Sequence, residues 1–478
     1  MSFNDSFQLP REKMRILGYR VVDMLVDHFE NLRDKPVTRK GNRAALERQL
    51  RESIPEKGID IDKVLQQLQQ DVFSNIMHVD HPRFFAFVPG PSNFIGAMAD
   101  ALVSGFNVFA GTWLEGSGPA EIEMVTIDWL CQLCGLPESA SGLFVSGGSV
   151  ANLTALAIAR HVKLGDRIQN AVVYYSDQTH SSIDKGLFLL GFEPSQLRKI
   201  PTDESYALNL EHLENEVARD QQEDRIPFCV IANAGTVNTG TVDPLPELAD
   251  FCSKNGLWLH ADGAYGAAAV LSDRGRSLLD GLGRVDSLSL DPHKWLFQPY
   301  EIGCILVKSG NWLKETFQIL PEYLQDVPRT EEEVNYCDRG IQLTRKFRAL
   351  KLWMTIKAFG LESFSKAITR GMELAEKAEK TITSFSNWEV VTQKGLAIVT
   401  FRYVPEGFSS EELNKMNRKL VEKMIGDGFA MVSTTELRGN TVLRLCTINP
   451  RTTEKDIQET VEMLSRFSEE LRIQSRKT

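Results

Sequence analysis

The spacing of apolar positions changes twice along the chain. Near the start, Met14, Leu17, Val21, Met24 and Leu25 recur at helical intervals, and so do Val64, Leu65, Leu68 and Val72. Two amphipathic helices this short carry little core of their own. Residues 1–85 are therefore expected to pack on a second subunit, which makes the protein a homodimer. Between about residues 120 and 310 the pattern switches to short apolar runs at 143–146, 171–175, 228–232, 257–261, 287–290 and 303–307. Helix-period segments such as 150–163 and 247–253 separate several of them. This alternation predicts the α/β class, with a mainly parallel central sheet covered by helices on both faces. Ligands of such sheets sit beyond the carboxyl ends of the strands. A long helical pattern then runs from 350 towards 381, and apolar runs at 397–401 and 442–446 predict a small C-terminal α/β domain. The expected division is 1–85, 86–350 and 351–478.

Composition narrows the picture only slightly. Hydrophobic residues make up 42% and charged residues 25% of the 478 positions, which suits a globular protein of two or three domains. The net charge of -10 offers no basic surface for nucleic acid. Seven cysteines, an odd number, argue against a disulfide framework. Cys131 and Cys134 form a C-x-x-C inside an apolar helical run and read as core thiols. No second such pair or histidine cluster accompanies them, so no metal site is expected. The N-terminus carries Asp5, Arg11, Glu12, Lys13 and Arg15 and lacks an apolar signal core. No run is long enough to span a bilayer, so the expected location is the cytoplasm, without membrane attachment.

The candidate chemistry sits at the predicted strand ends. Asp262 closes the strand Leu257-Trp258-Leu259-His260-Ala261, and Lys294 follows the run 287–290 behind Asp291, Pro292 and His293. A lone lysine after a strand is ordinarily a solvated charge. Here the flanks are bulky and apolar, and a carboxylate ends the neighbouring strand. An enclosed amine and such an acid are what pyridoxal phosphate needs: an amine for its aldehyde and an anion for its ring nitrogen. Upstream, Phe144-Val145-Ser146-Gly147-Gly148-Ser149 reads as a strand, a glycine turn and a helix beginning at a serine. Helix N-termini bind phosphate, although a plain Ser149 cap is an equally ordinary use of that pattern. His180, in Asp177-Gln178-Thr179-His180-Ser181-Ser182, follows a strand and is either a loop histidine held by hydrogen bonds or a ring that stacks on a cofactor. Thr236, after Asn233-Ala234-Gly235, is either part of a plain Gly-Thr turn or a contact to a cofactor. Glu121 and Glu123 read as surface charges.

Taken together and in this order, these motifs closely resemble the group II pyridoxal-phosphate-dependent amino acid decarboxylases, and within them the aromatic L-amino acid decarboxylases. The resemblance runs almost end to end. It is carried by His81-Pro82-Arg83-Phe84-Phe85, Gly147-Gly148-Ser149, the His180 segment, His260-Ala261-Asp262-Gly263-Ala264-Tyr265 and Pro292-His293-Lys294-Trp295. It implies the fold type I, aminotransferase-like architecture in a homodimer with the active site at the subunit interface. It also implies that Lys294 binds the cofactor covalently and that Asp262 partners the pyridinium. His180 would stack on the ring, Ala264 would pack beneath it, and Gly148, Ser149 and His293 would hold the phosphate, with Thr236 nearby. The family often has Asn where this chain has Asp291, so no phosphate contact is assigned to that side chain.

The resemblance further implies that Tyr323, in Leu320-Pro321-Glu322-Tyr323-Leu324, returns a proton to the product from a mobile flap of the neighbouring subunit. Relatives with Phe there act as aldehyde synthases, so Tyr323 with His180 favours decarboxylation. The aromatic residues Phe85, Phe87, Phe109 and Trp113 suggest an apolar pocket. Gly111 would leave room for indole. Thr344 matches a position that separates indolic from phenolic preference, but as Thr it indicates neither. The expected substrates are tryptophan, tyrosine and phenylalanine. An aldehyde synthase or an acidic amino acid decarboxylase on the same scaffold is the alternative, and no arginine is evidently placed for a second carboxylate.

Overall fold

The computed structural model describes residues 7–165, 167–319, 332–392 and 395–475. A first helix, α1 (Arg11–Glu30), buries none of its residues. Met14, Ile16, Tyr19 and Val22 stand in solvent along it. The second expected helical run spans Ile61–Gln67 and continues as a wider turn through Leu68–Val72.

Seven strands form the central sheet: β1 (Ser141–Val145), β2 (Ala171–Ser176), β3 (Leu197–Ile200), β4 (Ile226–Asn233), β5 (Trp258–Asp262), β6 (Ser287–Leu290) and β7 (Gly303–Val307), in the order β1-β7-β6-β5-β4-β2-β3. The pairs β2–β3, β2–β4, β4–β5 and β5–β6 are parallel. β7 alone is reversed, antiparallel to both β6 and β1. Consequently β1, β2, β4, β5 and β6 all end at one edge of the sheet.

Both faces of this sheet are dry. Val172, Tyr174, Val230, Ala232, Leu259 and Ala261 point into one core, together with Ile127 and Leu130 of helix α2 (Trp113–Leu133). Their neighbours Val173, Tyr175, Cys229, Ile231 and Trp258 point into the other, against Ala151, Ala155, Ile158 and Ala159 of helix α3 (Gly148–Leu164). The side-chain period of two therefore sends apolar groups to both sides, as expected of a parallel sheet between helices.

Two sequence expectations change here. Glu123 is not a surface charge. It is fully buried in α2, where it pairs with Arg345 at 2.6 Å and accepts the Phe144 amide at 3.0 Å, while Glu121 stays exposed. Phe85 does not line a pocket. It is fully buried in a third core, its amide donating to Met431 O and its carbonyl accepting from Cys446 N. That core belongs to a four-stranded antiparallel sheet of β8 (Trp388–Val390), β9 (Ile398–Tyr403), β10 (Ser433–Leu437) and β11 (Asn440–Cys446). Helix α4 (Ala349–Thr383) packs on it and is broken at Gly360, whose φ of 72° suits glycine. All seven cysteines are free thiols. Burial pushes both Cys131 and Cys134 up to about 12, so neither supplies a thiolate at neutral pH.

Candidate active site

The strand ends meet around a cavity of about 280 Å³. At one side β1 runs through Ser146 and Gly147 into α3. Gly147 is the N-cap and has no side chain to offer, so Ser149 is the second helical residue and not the first. The first-turn N–H groups and the positive end of the helix dipole thus face the cavity without a side-chain cap, an arrangement that suits an anion. Gly148 must be small. A Cβ there would stand 2.9 Å from Asp291 Oδ2 and 3.0 Å from the Ala264 Cβ. His293 closes this side. Its Nδ1 accepts the Ile302 amide at 3.3 Å, and burial lowers its pKa, leaving a neutral ring with its proton on Nε2.

Lys294 lies behind His293, with Nζ 3.0 Å from Asp291 Oδ2. Burial by itself would lower the lysine pKa, but Asp291 and Asp262 outweigh it and the net shift is upward. Next in sequence, Trp295 is fully buried and stacks on Tyr265, with ring centroids 5.3 Å apart and planes 2° from parallel. This fixes the backbone from which the lysine projects. Asp291 Oδ1 is buried and has no hydrogen-bond partner among the described residues.

Asp262 ends β5 at the opposite side and is 7% exposed. Its Oδ1 accepts from the Ala264 amide and from Ser289 Oγ, both at 3.2 Å, and its Oδ2 accepts from Asn152 Nδ2 at 2.9 Å. Pairing across the sheet sets Asn233, Asp262 and Ser289 side by side. His180 follows β2, and its Nδ1 accepts the Ser182 amide at 3.2 Å. The Thr236 hydroxyl lies 2.6 Å from Thr239 Oγ1.

Gly148, Ser149, His180, Thr236, Asp262, Ala264, His293 and Lys294 all line this one cavity. The expected substrate contacts do not. Phe87 is 59% exposed with φ 50°, its carbonyl held by Arg444. Phe109 lies against Gly111, where a Cβ would come within 2.6 Å of Leu343 O, so the missing side chain leaves no open room. Thr344 is exposed. Tyr323 lies outside the described residues. The later part of the expected flap is anchored: Val334, Asn335, Tyr336 and Asp338 are buried, and Asn335 Oδ1 accepts the Trp113 amide at 2.9 Å.

Sequence reasoning missed three polar residues near this cavity. Asn152 and Asn233 both line it, and both lie inside stretches singled out for other members. A lone amide among the apolar residues of α3 was the available signal. Tyr300 was not singled out at all; its ring centroid is 4.9 Å from that of His293. Tertiary structure also gathers His28, His78 and Asp80, with ligand atoms within 4.8 Å of one another. Lys35 Nζ stands 3.2 Å from His28 Nδ1, which makes this an ion-pair cluster hostile to a cation.

An uncapped helix N-terminus beside an enclosed lysine, with a buried acid across the cavity, fits the phosphate, aldehyde and ring nitrogen of pyridoxal phosphate. Residues 44–404 match the pyridoxal-dependent decarboxylase conserved domain. The chain belongs to this family. It is 50% identical to an aromatic-L-amino-acid decarboxylase of Bacillus atrophaeus over 472 residues, 98% of each chain. It is 32% identical to a phenylacetaldehyde synthase of Arabidopsis thaliana, covering 94% of each. The crystal structure of Oryza sativa TDC with PLP and tryptamine superposes with a TM-score of 0.92 at 28% identity, covering 98% of this chain and all of that one. The enzyme is thus a pyridoxal-phosphate-dependent decarboxylase of fold type I. Among the described residues, no helix is long and apolar enough to cross a membrane.

Proposed function

We propose that this decarboxylase acts on aromatic L-amino acids, converting tryptophan, tyrosine or phenylalanine to the arylalkylamine and CO2. The observation that carries the reading is the convergence of eight cofactor-type residues on one cavity, with Lys294 and Asp262 on opposite sides of it. The 50% identity to an aromatic-L-amino-acid decarboxylase supports the substrate class. When bound, the cofactor supplies an aldehyde for the amine and a ring that accepts the electrons released as CO2 departs.

The residues divide the remaining work. Lys294 would hold the cofactor through its aldehyde. The first-turn amides of Gly148 and Ser149, with His293 Nε2–H, would hold the phosphate. Asp262 would hold a proton at the ring nitrogen through a charge-assisted hydrogen bond worth about 1.5–3 kcal/mol. His180 and Ala264, which both line the cavity, would pack against the cofactor and exclude water. Tyr323 returns the proton to the substrate carbon. Phe87, Phe109, Gly111 and Thr344 are assigned to the substrate side chain in the assembled dimer. The homodimer, the division at residues 85 and 350 and the cytoplasmic location belong to the same proposal. The exposed apolar residues of α1 support the dimer.

A panel of aromatic and acidic L-amino acids, assayed with added pyridoxal phosphate for CO2, amine and peroxide, tests this reading. Amine and CO2 from an aromatic substrate, without peroxide, is the expected result. Peroxide and aldehyde would make the enzyme a synthase, like the Arabidopsis relative, and turnover of glutamate alone would remove the aromatic assignment. Tyr323→Phe should divert part of the flux to aldehyde, ammonia and peroxide. An unchanged amine yield would remove Tyr323 from the mechanism.

A further inference from the structure

We infer that Asn152 is a positioning residue whose single carboxamide holds Asp262 and His180 in register across the cavity, and fixes the direction of the hydrogen bonds that reach both. The argument rests on the proposed cofactor position between His180 and Ala264. Asn152 projects from the second turn of α3, is 1% exposed, and uses three of its four hydrogen-bonding positions, both N–H donors among them. Nδ2 donates to Asp262 Oδ2 at 2.9 Å and to Ser182 Oγ at 2.9 Å. Oδ1 faces His260 Nε2 at 3.0 Å. The flipped amide would set a carbonyl oxygen against the Asp262 carboxylate, so only this orientation is tolerable.

Each neighbour's protons then follow. Oδ1 only accepts, so His260 carries its proton on Nε2 and accepts at Nδ1 from Ser287 Oγ, 2.9 Å away. Ser287 Oγ in turn accepts from Trp258 Nε1 at 2.9 Å. Burial pushes His260 down to about 4, which keeps the ring neutral and able to serve as this one-way link. On the other branch, Ser182 Oγ receives the Asn152 proton and gives its own to His180 Nδ1 at 2.8 Å. The Ser182 amide points at the same nitrogen. His180 Nδ1 is therefore an acceptor, and the proton of the neutral ring is on Nε2. The donors run outward from Trp258 and divide at Asn152, one path ending on the acid of β5 and the other on the imidazole after β2.

Such a division is more than packing. The amide donates to Asp262 while leaving it an acceptor, as a protonated ring nitrogen requires. It also orders the hydroxyl that orients His180. An aspartate at 152 would face Asp262 with like charge, and an aliphatic residue would leave His260 Nε2–H buried without a partner.

The test begins with the unaltered, cofactor-free protein. Nitrogen-15 NMR of the histidine rings should show both His180 and His260 protonated on Nε2, and either ring protonated on Nδ1 would overturn the inference. Asn152→Ala, checked for wild-type circular dichroism, should weaken pyridoxal phosphate binding about tenfold by fluorescence titration. It should also move the pH titration of the lysine-bound cofactor's absorbance and the His180 ring resonances. Ser182→Ala should move the His180 resonances and leave the cofactor absorbance titration in place. Asn152→Ala with wild-type affinity, titration and ring resonances would refute the role of the amide. Asp262→Ala separates the two ideas: if that variant binds cofactor with a wild-type spectrum, the placement of the cofactor is wrong. If it loses the spectrum while Asn152→Ala does not, only the present inference falls.

Discussion

The two sides of the cavity are built on opposite plans. On the Asp262 side the protein completes its own hydrogen bonds: one carboxylate collects donors from α3, from the turn after β5 and from β6. On the Lys294 side it does not. The first turn of α3 has no side-chain cap, and Asp291 Oδ1 is buried without a partner among the described residues, a condition that costs about 1–3 kcal/mol. A finished side suits a group that must stay ionised and still. The free first-turn N–H groups of α3 suit an anion that comes from outside, while the unpartnered Asp291 oxygen is an acceptor and calls for a donor beside it. The contrast supports the proposed placement of the ring nitrogen beside Asp262 and of the phosphate at the first turn of α3.

Substitutions can break this contrast, the strongest first. Lys294→Ala should bring activity to background and abolish the absorbance of covalently held cofactor; a retained band would mean that another amine carries it. Asp262→Ala should lower kcat about 10²–10³-fold while the phosphate side still binds, a loss of the size seen when one group stabilising developing charge is removed. Equal losses of kcat and cofactor affinity would show that the two sides do not act separately. Gly148→Ala pushes a methyl to 2.9 Å from Asp291 and should weaken cofactor binding about tenfold with kcat at saturation nearly intact. Unchanged affinity would mean that the anion does not sit there.

The smallest effect concerns pH. Asp291 and Asp262 raise Lys294, so its ammonium persists to higher pH and cofactor capture, which needs the free amine, accelerates late as pH rises. The Lys294 ion pairs stabilise the cofactor-free protein below the ordinary lysine range, and that contribution is lost as pH rises through the raised value. Asp291→Asn removes one anion and should shift the capture profile to lower pH, by stopped-flow absorbance. A shift to higher pH would reverse the assigned charge balance.

What was legible in the sequence follows from burial. β2, β4, β5, β6 and β7 are dry on both faces, so their apolar runs announce them. The missed strands β3, β8 and β10 lie at sheet edges, and β3 and β10 are rich in polar residues for that reason. Lys294, Asp262 and His180 were readable because each stands at or just beyond the end of a recognisable strand. Asn152 was not, because its partners Ser182, His260 and Asp262 lie 30, 108 and 110 residues away and only the folded sheet joins them. Glu123 was misread for a similar reason: a charge on a helix looks solvated until Arg345, 222 residues on, is brought beside it.

The reversal of β7 has a mechanical consequence. Because it returns directly beside β6, residues 291–302 form a short tether between two adjacent strands, with no crossover helix to carry strain or slack. The Trp295–Tyr265 stack clamps that tether just beyond Lys294. In the proposed role of Lys294, the amine would exchange one bonding partner for another by turning about its own side-chain bonds, like an arm on a fixed shoulder, and each cycle would find it back at the same pivot.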